Sequence, residues 1–168
     1  KAIRAHSLEH LIISMAGFFG GNERDKNFVG KIVPMMHEAI GQEQSSFDVG
    51  DRVWQPTYTN DLALNTILLC AQSKTGRYVM SSLGEASFWD VAIEVALHLG
   101  WEDLLDIQKI SSQEFAKNEP GMRPLKAIIV NKRLNSEKLN IQRTWQSALE
   151  DYLADPYFHQ FRISGKTA

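Results

Sequence analysis

The sequence predicts a layered α/β fold with parallel strand pairing, and three observations carry that expectation. Short apolar runs are bounded by charge and glycine, as in Leu11, Ile12, Ile13, Ser14 and Met15. Amphipathic stretches at helical spacing alternate with those runs along the chain. Two capping boxes, at Ser87 with Asp90 and at Ser111 with Glu114, mark helix starts. With 168 residues of which 43% are hydrophobic, the chain can bury one core, so residues 1–161 are read as one unit and 162–168 as a loose tail.

Residues 11–15 suit a strand covered on both faces, and Gly17, Gly20 and Gly21 then open a loop at its carboxyl end. Phe28, Val29, Ile32, Val33, Met36 and Ile40 recur as the apolar face of a helix, in which Pro34 predicts a kink or a late start. Residues 47–58 read as extended, and Pro56 pushes Gln55 the same way. Thr59, Asn60 and Asp61 supply cap residues and a favourable charge for a helix to about residue 73. Residues 77–81 alternate like a strand. The helix opened at Ser87 is stopped by Gly100. A short strand at 107–110, a short helix after Ser111, an extended stretch at 127–131 and two small helices near 136–140 and 144–154 complete the pattern.

Composition excludes several classes. Eighteen basic against 20 acidic residues leave a net charge of −2, without the basic excess of a nucleic-acid binder. The apolar runs are too short to span a bilayer, and no leader pattern opens the chain, so a cytoplasmic setting is expected. The lone Cys70 falls in an apolar helical pattern and is expected to be a buried, inert thiol. The opening Lys1, Ala2, Ile3, Arg4, Ala5 and His6 resemble the last turns of a helix, as if the chain began inside an element.

No motif names a reaction by itself. His6 and His10 straddle an expected helix end, so their rings diverge and no metal site is predicted. Gly17, Phe18, Phe19, Gly20 and Gly21 follow a strand but lack dinucleotide-fingerprint spacing, and no helix opens directly after them. No nucleophile elbow, phosphate-binding loop or zinc-binding helix motif is present.

Four stretches, in order, resemble the dTDP-4-dehydrorhamnose reductase family of extended short-chain dehydrogenases. They are the run from Leu11 through Gly21, then Lys26, Asn27, Phe28 and Val29, then the thirteen residues beginning at Asp51, and lastly Gly76, Arg77, Tyr78 and Val79 with Ser87 to Ala92. The most specific is the third, with its Pro56-Thr57-Tyr58 followed by Asp61, Leu62 and Ala63. Two departures stand out: Ser14 and Gly17 occupy positions where that family usually has arginine and tryptophan.

The resemblance implies the carboxy-terminal part of a Rossmann-type fold: its last parallel strands plus a small substrate-binding lobe. It implies a substrate-binding portion of an NAD(P)-dependent reductase of a nucleotide-activated deoxysugar. Gly17, Phe18, Asn27, Trp54, Gln55, Tyr58 and Arg123 would contact the nucleotide-sugar, with Ala16, Gly17 and Phe18 beside the NADP or NAD nicotinamide. The family's glycine-rich cofactor turn and its Tyr-x-x-x-Lys pair would lie upstream, and none of Tyr58, Tyr78, Tyr152 and Tyr157 has a lysine four residues later. No catalytic residue is therefore expected here, nor cofactor binding by this chain alone. Two rival expectations are a non-catalytic binding or regulatory module, as in a relative that regulates methionine adenosyltransferase, and an inactive fragment. For the fragment the partner would be a missing amino-terminal half or a second copy.

Overall fold

The computed structural model describes residues 9–15, 17–112 and 124–163. Strand β1 (Leu11–Met15) pairs in parallel with β6 (Gly76–Met80), Leu11 opposite Gly76 and Met15 opposite Met80. Between them in sequence lies helix α2 (Thr59–Ala71), whose Leu62 and Leu69 join Tyr78, Met80, Leu134 and Leu139 in a small apolar cluster. Leu11 and Ile13 pack against the same cluster, so alternate residues of β1 face α2 as the period of a strand requires. The expected cover on both faces is not found among the described residues: β1 is only half-buried and Met15 is 46% exposed.

A second, larger cluster forms the lobe. Helices α1 (Phe28–Gly41), α3 (Phe88–Leu99) and α5 (Trp145–Leu153) contribute Val29, Met36, Val91, Val95, Leu149 and Tyr152 to it. Strand β3 (Ser46–Gly50) pairs in parallel with β8 (Asp106–Ile110) alongside these helices. Two short pairs belong to the lobe, contributing Phe19, Trp54 and Ala86 to its core: β2 (Phe18–Phe19) lies parallel to β5 (Thr57–Tyr58), and β4 (Val53–Trp54) antiparallel to β7 (Ala86–Ser87). No residue belongs to both buried clusters.

Local expectations were met unevenly. The Ser87 box is complete: its hydroxyl accepts from the Asp90 N–H, and the Asp90 carboxylate accepts from the Ser87 N–H at 2.7 Å. Gly100 ends α3 at φ 76°. Helix α1 starts at Phe28, with no late start, and runs to Gly41 through Pro34. At α2 the cap position is Tyr58, not the Thr59–Asn60 pair, and no side chain caps it. Cys70 is exposed, not buried, because it lies on the side of α2 turned from the cluster. Residues 127–131 form no strand: after one bridge from Lys126 to Val53 the chain leaves that edge, and Ile129 N–H donates to Gln55 Oε1 at 2.7 Å. The first of the two small helices comes earlier than expected, as α4 (Lys132–Ser136). The box at Ser111 involves Glu114, outside the described residues.

Glu137 clamps α4 to β6. Its carboxylate takes Lys74 Nζ at 3.0 Å, Arg133 Nε at 2.6 Å and the Tyr78 hydroxyl at 3.0 Å, and the Arg133 guanidinium lies 4.0 Å above the Tyr78 ring. Lys74, then Arg133, hold the Glu137 carboxyl down to about 2. A depressed carboxyl stabilises the fold above its unfolded value, and that contribution is lost as pH falls through the folded one. Urea midpoints measured at pH 7 and pH 3 are therefore expected to differ less in Glu137→Gln than in the parent. Ser87→Ala is expected to cost about 1 kcal/mol in the same assay, the worth of a helix cap.

Candidate functional site

The segments leaving the carboxyl ends of β1 and β6 meet the start of β5 at Thr57. Its backbone N–H donates to Gly17 O at 3.1 Å, just beyond the end of β1. Its hydroxyl, fully buried, donates to Gln55 O and accepts from Ser82 N–H, each at 3.1 Å, which ties in the segment after β6. Asn131 fixes Ser81 next to it, accepting from its N–H at 2.9 Å and donating to its carbonyl at 2.7 Å. In open α/β sheets this edge is where ligands bind.

Two cavities open at this edge. One, of about 310 Å³, is lined by Gln55, Ser82, Gly84, Ile129, Asn131 and Asn135. The other, of about 420 Å³, is lined by Gly21, Asn22, Tyr58, Asn60, Tyr152 and Asp155. The Tyr58 ring stacks on Phe19 at 5.4 Å and 9°, and Tyr152 packs against both rings. Burial first, then Asp155, pushes the Tyr58 phenol up, so it keeps its proton at neutral pH. Burial raises Tyr152 as well, and its oxygen accepts from Asn22 N–H at 3.0 Å.

The glycine-rich loop is held by a carboxylate of this chain. Asp25, 6% exposed, accepts from Gly20 N–H through Oδ2 and from Asn27 N–H through Oδ1, both at 2.9 Å. Gly20 and Gly21 have φ of 128° and 107°, and a Cβ on Gly20 would strike Thr59 Oγ1. The space that a phosphate would need is taken by Thr59 and Asp25, and Asp25 would repel it. The residues present do not fit a dinucleotide pyrophosphate here.

Of the residues singled out from sequence, Gly17, Phe18, Trp54 and Tyr58 come together around this junction. A Cβ on Gly17 would lie 2.5 Å from Trp54 Cε3, so the indole fills the floor under Gly17. Trp54 is 7% exposed, with Phe28 and Phe88 edge-on to it, and thus is not an open wall. Phe18 is 38% exposed. Gln55 belongs to the other cavity, and half-buried Asn27 stands at the cap of α1 beyond Asp25. Ala16 and Arg123 lie outside the described residues. Thr57, Asp25, Ser82 and Asn131 were missed. Thr57 stood inside the Pro-Thr-Tyr motif, but Asp25 looked like one more loop charge. Among the described residues, no group of His, Cys, Asp or Glu is placed to hold a metal ion, and no helix is long and apolar enough to cross a membrane.

The sequence profile of the RmlD substrate binding domain matches residues 1–158. A dTDP-4-keto-6-deoxy-D-glucose reductase of Streptomyces niveus is 28% identical over 139 residues, covering 82% of this chain and 45% of that protein. The spore coat polysaccharide biosynthesis protein SpsK of Bacillus subtilis is 28% identical over 107 residues, covering 64% and 36%. The chain thus spans less than half the length of these curated relatives. A dTDP-4-dehydrorhamnose reductase structure from Clostridium acetobutylicum superposes with a TM-score of 0.76 at 24% identity, covering 90% of this chain and 50% of that one. The Bacillus anthracis dTDP-4-dehydrorhamnose reductase, solved with NADP, gives 0.74 at 21%, covering 92% and 51%. The fold is that of these Rossmann-type reductases over about half their length.

Gly17→Ala is expected to cost roughly 1–3 kcal/mol of stability by overpacking against Trp54. In a double-mutant cycle followed by urea melts, the same Gly17→Ala change should cost less in a Trp54→Leu background. An unperturbed Gly17→Ala would show that the close approach is absent.

Proposed function

Because the chain belongs to the RmlD substrate binding domain family, we propose that it is the substrate-binding portion of an NAD(P)-dependent reductase of dTDP-linked deoxysugars. The observation that carries this is the Thr57 N–H to Gly17 O bond at 3.1 Å. It brings the most specific motif of the sequence to the carboxyl end of a parallel strand, where such folds bind ligands.

In this reading Tyr58, protonated and half-buried, donates to an oxygen of the nucleotide-sugar, and Gln55 and Asn27 contact it from either side. Trp54 supports Gly17 from below and shapes the floor without touching the ligand face. The family resemblance assigns Arg123 to the pyrophosphate. Ala16, Gly17 and Phe18 border the nicotinamide of a cofactor held by the amino-terminal half of the whole enzyme. Bound NADPH would supply the hydride, and that half would supply the Tyr-x-x-x-Lys proton donor. The filled glycine loop supports this division, since Asp25 and Thr59 leave no phosphate cradle there. What the present chain contributes is position and exclusion of water around the sugar.

Calorimetry with dTDP-glucose and NADPH separates the parts. Weak but saturable dTDP-glucose binding and no detectable NADPH binding are expected from the chain alone. Tyr58→Phe, which keeps the ring stack, should weaken dTDP-glucose roughly 2- to 10-fold, the worth of one hydrogen bond. Tight NADPH binding would overturn the division, and an unaffected Tyr58→Phe would remove Tyr58 from the site.

A further inference from the structure

Two phenols line the cavity of about 420 Å³ beside the glycine loop, Tyr58 and Tyr152, and each has a proton to spare. The Tyr58 oxygen accepts from Asn60 Nδ2 at 3.0 Å, and the Tyr152 oxygen accepts from Asn22 N–H at 3.0 Å. Neither O–H donates to an acceptor among the described residues. Tyr152 is only 1% exposed. A hydroxyl that deep with an unused proton costs free energy until a bound atom accepts from it.

The same cavity supplies an acceptor in Asp155. One carboxylate oxygen takes Asn22 Nδ2 at 3.3 Å and Tyr157 N–H at 2.8 Å, and the other has no partner among the described residues. Asn22 itself sits at φ 54°, a conformation that asparagine tolerates, so the loop and the carboxylate are fixed to each other. Two donors and one acceptor suit hydroxyl groups, each of which can accept from a phenol and donate to a carboxylate. They do not suit a phosphate. Glu23 and Asp155 against Arg24 leave the lining net negative, and Asp61 and Asp151 add to the field at Tyr58. Arg143, the cation acting on the same phenol, is already paired with Asp61 at 3.0 Å and with Asp151. The apolar walls that a flat base packs on, Ile128, Ile129 and Val130, belong to the other cavity.

We propose that the Tyr58–Tyr152 cavity is the glycosyl pocket, which takes the uncharged, hydroxyl-bearing hexose ring of a nucleotide-sugar and leaves its diphosphate and nucleoside outside. This rests on the reading of the chain as a nucleotide-sugar binder, and adds which end of the ligand enters where. Tyr58 and Tyr152 donate to oxygens of the hexose, and one of its hydroxyls donates to the open oxygen of Asp155. Tyr152 and Asp155 lie outside the Pro-Thr-Tyr motif and join Tyr58 as ligand contacts.

The test compares dTDP-glucose with dTDP, which lacks the hexose, by calorimetry on the chain and its variants. Asp155→Asn keeps the oxygen that takes Asn22 and Tyr157, and Tyr152→Phe keeps the ring packing. Each should weaken dTDP-glucose roughly 3- to 10-fold, the worth of one hydrogen bond, while dTDP moves less than about twofold. A merely structural role of either residue, or a pocket that holds the deoxyribose, would move both ligands alike, and that result overturns the proposal. So does tighter dTDP in Asp155→Asn with weaker dTDP in Arg24→Gln, since the diphosphate would then occupy the cavity. In both of those outcomes dTDP-glucose still binds the parent chain, and the nucleotide-sugar reading stands. Absence of binding by both ligands sinks that reading and the pocket with it.

Discussion

A parallel strand pair exposes its carboxyl-end backbone groups unless other segments take them up, and here Thr57 does so for two strands at once. Its N–H satisfies the carbonyl of Gly17 and its hydroxyl oxygen satisfies the N–H of Ser82. Gln55 and Tyr58 are its near neighbours in sequence, so their side chains fall on either side of that junction, one into each cavity. Serine could make the same bonds, but the methyl group fills a fully buried site. The junction therefore sets both where the cavities open and how far apart they stand.

Much of this was legible because the signals were local. Periodicity placed β1, β6, α1 and α3 within a few residues, and the Ser87 box was readable because its two partners are three residues apart. What stayed hidden depends on distant contacts. Asp25 was an ordinary loop charge until folding set it beneath Gly20 and Asn27. Motif spacing sets Trp54 beside Gln55 and Tyr58 in the chain, whereas its ring turns inward between Phe28 and Phe88. The exposure of Cys70 has the same origin. Spacing shows that a helix side is apolar, but not whether the described chain supplies anything to cover it.

The glycine loop shows how one composition serves opposite ends. Glycines after a parallel strand commonly let a backbone approach a phosphate. Here they let it approach a carboxylate from the same chain, together with Thr59. The same close packing recurs at Gly30, where a Cβ would strike the Asp25 carbonyl. An anion is still bound, but it is covalently part of the protein and cannot leave. The loop is thereby set rigidly around the Tyr58–Phe19 stack.

Two buried clusters without a common member meet at the Thr57 bonds, with the short β2–β5 and β4–β7 ladders on the lobe side of that seam. A guest that touches Tyr58 on one side and Gln55 on the other acts as a rivet through that seam. Its affinity is then drawn from the free energy of holding the blocks in register, so occupancy and mechanical integrity rise and fall as one quantity.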